Sequence, residues 1–269
     1  MEYLKSDHNR VIKSDPRFTD IGNLPSEFIP YSQKQIFIRP FTISELKLLS
    51  KSIVLKDIKH LIKAVDNVID IDVNDLTVGD FYYILMWLRL HSFPKSPIMV
   101  QWRCDESIYR SLAFEPNSTQ KTYLPAGVAP DEEQMSEFEI VSCNTGNNEA
   151  IHMTDITVQS LDEDFVMPEG YDFPRVKYLD DVQKEMINPE MELIAPAAQW
   201  ISGTWIEKMA KLENDPGLSL FDMATALQET VIHGVSENAI LTCRGCKKKS
   251  LYLLQINATT FFRQTRKKI

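Results

Sequence analysis

Hydrophobic and polar positions in the first third of the chain follow the spacing of amphipathic helices. The segment "DIKHLIKAVDNVI" places apolar residues at Ile58, Leu61, Ile62, Val65 and Val68. These positions recur every three to four residues, which puts them on one face of a helix. The pattern therefore predicts a helix that packs one side against a core.

Two threonines mark where further helices begin. Thr42 and Glu45 in "TISE" have the spacing of a capping box, in which each side chain bonds the other's free backbone N–H. Thr77 and Asp80 repeat this spacing. The helix after Thr77 runs to about His91 and is apolar almost all round, so we expect it to be buried. The alternative is that its aromatic face docks a partner helix.

The middle of the chain changes to the alternation of β-strands. "PIMVQWRC", "EFEIVSC" and "AIHMTDITVQSL" each alternate apolar and polar positions. Prolines and the acidic run "DEEQ" interrupt them, which predicts an insertion loop over residues 110–135. Helical patterns return in "LDDVQKEM", "APAAQWISGTWIEKMAKLEN" and "LSLFDMATALQETVIHG", and "AILTC" and "SLYLLQIN" predict a closing strand pair.

The order of these patterns predicts an α+β fold. A helical segment comes first, a β-rich middle with ribbon-like knuckles follows, and a second helical segment closes on a β-hairpin. We expect a flexible N-terminal arm (1–22), a helical region (23–94), a β-rich region (95–178), a second helical region (179–234) and a zinc-ribbon-like hairpin with a basic tail (235–269).

Composition narrows the classes of function. The 269 residues are 43% hydrophobic and 25% charged, as in soluble globular proteins, and the net charge of -9 argues against a general nucleic-acid binder. No apolar run is long enough for a membrane span, and the polar N-terminus is unlike a signal peptide. The glycine-rich phosphate loops and the common hydrolase motifs are missing, so we expect no enzyme.

The last part of the chain holds one cysteine motif with metal-site spacing. Cys243 and Cys246 form a C-x-x-C pair between two predicted strands. With four cysteines in the chain a disulfide framework is not expected, and in a reducing compartment C-x-x-C indicates a metal or redox site. The flanking strands argue against the thioredoxin arrangement, in which the motif opens a helix.

The order of motifs resembles that of a known family. "LPS...PY", "IRPFTISELKLL", "DLTVGDFYYILMWLRLHSF", a cysteine-bearing β region, "TCRGC" and a closing "FF" resemble the baseplate hub subunit and hub-assembly proteins of T-even-type tailed bacteriophages. The resemblance covers roughly residues 24–262.

The resemblance implies a structural or chaperone-like assembly protein that acts by protein–protein binding. Its expected partners are other baseplate hub and tape-measure proteins, in a hetero-oligomer, without membrane or specific nucleic acid. Its expected location is the host cytoplasm during assembly, or the tail baseplate of the virion. Members of this family differ in whether they stay in the finished virion, and that question stays open here.

Many relatives in this family carry two C-x-x-C knuckles that resemble a four-cysteine zinc ribbon. Here Ser107 and Gly146 stand where the partners of Cys104 and Cys143 would be. If the insertion splits one knuckle, the chain's cysteines still suffice for one structural zinc, which takes four ligands. The expected metal ligands are Cys104, Cys143, Cys243 and Cys246. The alternative is a decayed site that is held by ordinary packing.

The basic stretches "CRGCKKK" and "RQTRKKI" suggest an alternative function, a zinc-ribbon nucleic-acid-binding protein. Phe261 and Phe262 are adjacent, however, and would face opposite sides of a strand, so they form no stacking platform. We therefore prefer an acidic protein partner for these cations. His233, beside Gly234, is interpreted as a cap at the C-terminal end of a helix.

Overall fold

The computed structural model describes residues 15–94, 98–111, 124, 129–151, 156–236 and 238–253. These residues form two compact units. The first contains residues 15–94 and 157–236, and the second contains residues 98–151, 156 and 238–253. Helices with short antiparallel strands confirm the predicted α+β class. Within the described ranges, no helix has the length and apolarity that a membrane crossing requires.

The first unit is mainly helical. Its helices are α1 (Ile43–Leu55), α2 (Ile58–Asp66), α3 (Val78–Ser92), α4 (Leu179–Glu185), α5 (Ile194–Ala198), α6 (Trp205–Glu213) and α7 (Ser219–Thr230), with 3-10 turns at Val73–Asp75, Val176–Tyr178 and Pro189–Met191.

The strands are β1 (Thr19–Asp20), β2 (Phe37–Ile38), β3 (Ile98–Arg103), β4 (Ser107–Ser111), β5 (Phe138–Ser142), β6 (Gly146–Ile151), β7 (Val158–Gln159), β8 (Gly234–Val235), β9 (Asn238–Thr242) and β10 (Lys249–Leu253). All described pairs are antiparallel: β1 with β2, β3 with β6, β4 with β5, β7 with β8, and β9 with β10. A 3-10 turn at Glu132–Glu137 precedes β5.

The predicted capping signals mark real helix starts. The Glu45 carboxylate accepts hydrogen bonds from the backbone N–H and the hydroxyl of Thr42, at 2.8 and 2.6 Å, so α1 begins where predicted. Thr77 caps α3, because its Oγ1 accepts from the backbone N–H of Asp80 at 3.1 Å. One face of α3 is buried and includes Phe81, Ile84, Leu85 and Leu88. The opposite face is partly exposed, at Tyr82, Tyr83, Met86 and Trp87, so the helix is not buried all round as its composition predicted.

Asp80 does not close a capping box, since its carboxylate points into a buried polar network. Oδ1 accepts from the backbone N–H of Ser26 at 3.0 Å, and Oδ2 accepts from the Tyr31 hydroxyl at 2.5 Å. The Tyr31 oxygen in turn accepts from the backbone N–H of Thr77 at 2.9 Å. This network joins the "LPS...PY" segment to the start of α3, so two of the motifs behind the family resemblance meet in the core.

His233 is not the helix cap that its position beside Gly234 suggested. Helix α7 ends at Thr230, and the His233 ring lies beyond it, with Nε2 3.0 Å from Thr77 Oγ1. Gly234 lies in β8 with φ of 107°, where a Cβ would come within 2.7 Å of the Gly79 backbone. This close approach of β8 to α3 requires glycine, and it places the histidine against the α3 cap.

The segment "APAAQWISGTWIEKMAKLEN" was predicted as one helical stretch, and this prediction was wrong. Helix α5 ends at Ala198, and α6 begins after Thr204. Gly203 has φ of 121°, which breaks the helix. Thr204 and Glu207 then form a capping box that starts α6.

The structure groups the predicted regions differently along the chain, because both units are discontinuous in sequence. Residues 15–22 of the predicted arm belong to the first unit. In this segment β1 pairs with β2, and Ile21 is buried. Residues 1–14 lie outside the described residues, as do Phe261, Phe262 and most of the predicted 110–135 insertion.

Candidate metal centre

A bent ribbon in the second unit carries the first two cysteines. Strands β3 and β4 run antiparallel to β6 and β5, and the ribbon bends where β3 meets β4 and where β5 meets β6. Cys104 and Cys143 occupy these opposite bends. The backbone N–H of Cys104 donates to the carbonyl of Thr145 at 3.0 Å, and that of Cys143 donates to the carbonyl of Glu106 at 2.8 Å. Strand pairing therefore brings together two cysteines that are far apart in sequence.

The hairpin β9–β10 carries the other two cysteines on its turn. The backbone N–H of Cys243 donates to the carbonyl of Lys248 at 2.9 Å, and the N–H of Lys247 donates back to the carbonyl of Cys243 at 3.0 Å. Lys247 has φ of 63°, which closes the turn after Cys246. The predicted strand pair around the C-x-x-C motif is confirmed by this hairpin.

All four sulfur atoms lie within 4.8 Å of one another. The Cys104 and Cys246 sulfurs are 3.6 Å apart, and so are the Cys143 and Cys243 sulfurs. A disulfide has an S–S distance of about 2.05 Å, and all four thiols are free. Four thiolates at about 2.3 Å from one tetrahedral zinc ion lie about 3.8 Å apart, which is close to the observed spacing. The geometry of the four expected ligands therefore fits one zinc ion.

Each sulfur has a hydrogen-bond donor or a polar hydroxyl beside it. Backbone N–H groups bond Cys104 from Glu106, Cys246 from Lys248, and Cys243 from both Gly245 and Cys246. The hydroxyl of Thr145 lies 3.1 Å from the Cys143 sulfur. Donors of this kind stabilise thiolates and orient metal ligands, whereas neutral buried thiols have little need of them.

The sulfurs do not titrate alike. Burial raises the pKa of Cys104 to about 12, and burial also raises the pKa of Cys246. Burial acts in the same direction on Cys243, but N–H donors from Cys246, Asn147 and Gly245 outweigh it and lower the pKa of that thiol to about 6. Among these three sulfurs, Cys243 therefore has the surroundings that most favour the thiolate, the form that binds a metal.

Apolar and charged groups surround the cluster. Cys104, Cys243 and Cys246 are buried with Ile108, and the partly buried Trp102 and Val141 pack against them. Lys248 forms an ion pair with Glu106, next to the bend of the ribbon. The buried sulfurs are therefore shielded from water. The Lys248 ammonium lies near them, where it would favour the thiolates that a metal binds.

The two halves of the cluster approach each other closely at Gly245. A Cβ on this residue would lie 2.2 Å from Thr145 Oγ1 and 3.1 Å from the Cys143 sulfur. No side chain fits there without displacing the ribbon bend. Gly146 has open space at the same atom and shows no such constraint.

Asn147 and Gly245 were not found from the sequence. Asn147 is one of the buried polar residues, and it contacts both Cys243 and the backbone of Arg244. The one available signal was a polar residue on the inward face of β6, four positions after Cys143 and on the same side as the buried Ile151. Among the described residues, no other group of three or more histidine, cysteine or acidic side chains is placed to hold a metal ion.

A groove of about 830 Å³ in the first unit is strongly acidic. Its walls include Asp66, Asp70, Asp72, Asp75 and Asp172. Arg175 and Lys177 also line the groove, but the Arg175 guanidinium is held by the carbonyl of Asp75 at 2.6 Å and by the carboxylate of Asp172 at 3.0 Å. The groove therefore presents mainly negative charge to solvent.

Comparison with known proteins adds the family. A family model described as T4 bacteriophage base plate protein matches residues 23–262. No curated protein and no solved structure matches the chain. The matched range takes in the described residues of the second unit and nearly all of those of the first, including the buried network and all four cysteines. The chain therefore belongs to the T4 bacteriophage base plate protein family.

Proposed function

We propose that this protein acts by binding other proteins of the baseplate hub, as a hub subunit or as a chaperone-like assembly factor. The family match over residues 23–262 carries the proposal, because membership points to a structural or assembly role in the tail baseplate and to a non-enzymatic one. We add two elements to this role. The protein binds hub and tape-measure proteins, and it is present in the host cytoplasm before it joins the tail.

The outer face of the β9–β10 hairpin is the surface that we assign to partner binding. Ile240 and Leu251 pair directly across the two strands and are 69% and 70% exposed. Two exposed large aliphatic side chains on a paired ribbon are typical of an interaction surface. Neither strand pairs with a further strand among the described residues, so each also has a free edge that can accept an added strand.

The charge of the hairpin indicates what such a partner carries. Residues 238–253 hold four cations, Arg244, Lys247, Lys248 and Lys249, and no acidic residue, although the whole chain has a net charge of -9. Lys248 is paired with Glu106, which leaves the other three for a partner. An apolar pair flanked by cations suits a segment that presents aliphatic and acidic side chains. We therefore expect an acidic segment of another baseplate protein at this face.

We also propose that Cys104, Cys143, Cys243 and Cys246 bind one structural zinc ion. The support is the fit of the four buried sulfurs and the donors around them. When bound, zinc supplies a crosslink and no reaction. It would tie the hairpin that carries the partner surface to the ribbon, so that binding of the metal shapes the surface indirectly.

The test is co-expression with the phage hub and tape-measure proteins, followed by affinity capture and native mass spectrometry. We expect a stoichiometric complex that Ile240→Ser with Leu251→Ser weakens by ten-fold or more. Val166→Ser with Ile187→Ser is the matched control, because both side chains are aliphatic, lie in the first unit and are 81% exposed. Zinc content should be the same in all three proteins. A wild-type protein that captures none of these proteins would contradict the proposal.

A second candidate function follows from the same cations. A hairpin with four cations and no acidic residue also suits phosphate, which keeps the zinc-ribbon nucleic-acid-binding alternative testable. Fluorescence anisotropy with DNA and RNA distinguishes the two. We expect no sub-micromolar binding at about 150 mM salt, where non-specific binding is normally far weaker. Tight binding under those conditions would favour the nucleic-acid function.

A further inference from the structure

One side chain in the second unit bonds both halves of the thiol cluster. Asn147 lies on β6 and is 5% exposed. Its Nδ2 donates to the carbonyl of Thr145 at 3.0 Å, on the ribbon, and lies 3.6 Å from the Cys243 sulfur, on the hairpin turn. Its Oδ1 accepts from the backbone N–H of Arg244 at 2.9 Å. Both amide hydrogens and the carbonyl oxygen are therefore used.

These contacts allow only one orientation of the carboxamide. If the amide were flipped, its oxygen would face the carbonyl of Thr145 and its NH2 would face the N–H of Arg244. Both contacts would then be repulsive, since a buried donor needs an acceptor. The group is thus matched to a sulfur that accepts a hydrogen bond, which is what a thiolate does and what a neutral thiol does weakly.

The contacts of Asn147 also connect the ribbon and the hairpin turn, two segments that no C-x-x-C motif joins. In this chain the four cysteines come from three separate segments, and two of them have no cysteine partner on their own turn. The ribbon and the hairpin turn belong to strand pairs that are not bonded to each other as sheet. Side-chain bonds that span the two are therefore needed to fix one half of the cluster relative to the other.

We propose that Asn147 is a positioning residue of this metal centre: its carboxamide holds the Cys243 knuckle in register with the ribbon bends that carry Cys104 and Cys143. The proposal rests on the structural zinc proposed above. It assigns to Asn147 the role that outer-shell partners have in metal sites, where they orient the ligands and strengthen metal binding.

Two substitutions of Asn147 separate its roles. Asn147→Leu keeps the number and branching of the side-chain heavy atoms but removes every hydrogen bond, and Asn147→Asp keeps the shape but places an oxygen against the Cys243 sulfur. Asn148→Asp is the matched control, because Asn148 is an exposed neighbour and the substitution adds the same negative charge. The full-length proteins are loaded with zinc, and metal content and affinity are measured by elemental analysis and by competition with a chromophoric chelator.

We expect about one zinc per wild-type chain and an affinity that falls about 10- to 100-fold in both Asn147 variants, as is typical for loss of an outer-shell partner. Asn148→Asp should keep the wild-type affinity. A loss in Asn147→Asp alone would overturn the proposal, since it would reflect repulsion by a carboxylate and not lost positioning. Wild-type affinity in both variants would overturn it as well.

Cobalt substitution gives a readout that a purely structural role would not change. In the Co²⁺ form, removal of the N–H donor to Cys243 should shift the sulfur-to-cobalt charge-transfer band to lower energy in Asn147→Leu, and Asn148→Asp should leave it in place. An unchanged band would contradict the sulfur contact. A wild-type chain that takes up neither zinc nor cobalt would contradict the zinc proposal itself. Metal uptake that is the same with and without Asn147 would contradict only the role of Asn147.

Discussion

The two units are stabilised in different ways. The first buries large aliphatic and aromatic side chains completely, such as Phe81, Leu76 and Ile84, and adds a buried hydrogen-bond network at the start of α3. The second consists of two-stranded ribbons, which are at best marginally stable alone. Among its described residues, the buried set is three cysteines, Asn147 and five aliphatic residues, Val100, Ile108, Ile151, Ile156 and Leu241. From this comparison we expect the first unit to be held by its core and the second to depend on the proposed metal site.

The largest expected effect is removal of the proposed zinc ion from the second unit. Binding of structural zinc contributes about 10–16 kcal/mol in zinc-finger peptides, which is more than a small ribbon core can replace. A strong zinc chelator should therefore unfold residues 98–151 and 238–253 and leave the first unit folded. Hydrogen exchange followed by mass spectrometry checks this segment by segment.

The control for this prediction is Cys243→Ser, which should reproduce the chelator's effect without chelator. Full protection of the second unit after chelation, together with normal protection in Cys243→Ser, would mean that packing alone holds it. That outcome would favour a decayed site.

The next largest effect concerns the buried network of the first unit. Asp80 is 0% exposed, and Asp80→Ala would leave the Tyr31 hydroxyl and the Ser26 N–H without their acceptor. Losing the partner of buried polar groups should lower the free energy of unfolding by about 3 kcal/mol. Urea unfolding measures it, with the exposed Glu163→Gln as the control. Zinc content should not change, because this network lies in the first unit; a loss of zinc in Asp80→Ala would break the comparison between the units.

A smaller effect is expected from one methyl group in the second unit. Gly245→Ala places a Cβ 2.2 Å from Thr145 Oγ1, so the ribbon bend must move, at a cost of about 1–3 kcal/mol. Gly146→Ala, where the space is open, should have little effect. We expect weaker zinc binding in Gly245→Ala only. Equal zinc affinities in the two variants would show that the approach of the two halves is looser than the structure indicates.

Local signals were predictable from the sequence, and contacts between distant segments were not. The starts of α1 and α3 followed from Thr42 and Thr77, because capping depends on residues three apart. The break before α6 was missed because apolar spacing continues through it, although Thr204 and Glu207 formed a readable capping box. In each case the information lay within one turn of helix.

The candidate site divides in the same way. The four cysteines were expected from their number, from one C-x-x-C motif and from the family resemblance. That Cys104 and Cys143 lie side by side followed only from the hypothesis that the insertion splits one knuckle. Asn147 and Gly245 could not be found, because their importance arises from the approach of β6 to the hairpin turn. Such an approach depends on tertiary packing and leaves no spacing in the sequence.

The smallest expected effect is a pH dependence in the first unit, where Lys208 is 1% exposed. Its ammonium donates to the carbonyl of Gln199 at 2.8 Å, just after α5, and lies 4.5 Å from the centre of the Tyr178 ring. Burial lowers the pKa of Lys208 from 10.5 to about 8. Between these values the native state releases the proton while the unfolded state keeps it, so the unfolded state binds more protons and stability rises with pH.

Wild-type protein should therefore gain about 1.5 kcal/mol relative to Lys208→Met between pH 8 and pH 9.5. Below about pH 6.5 both states bind the proton, and the difference between the two proteins should be constant. Urea unfolding at several pH values measures the difference, with Lys211→Met as the control, because Lys211 lies one turn away on the exposed side of α6 and also donates to a backbone carbonyl. Since both variants keep the thiol cluster, its titration cancels in the comparison. Parallel curves for wild type and Lys208→Met would show that this lysine stays charged in the native state across the range, and that the first unit accommodates a buried ammonium through the Gln199 carbonyl and the Tyr178 ring.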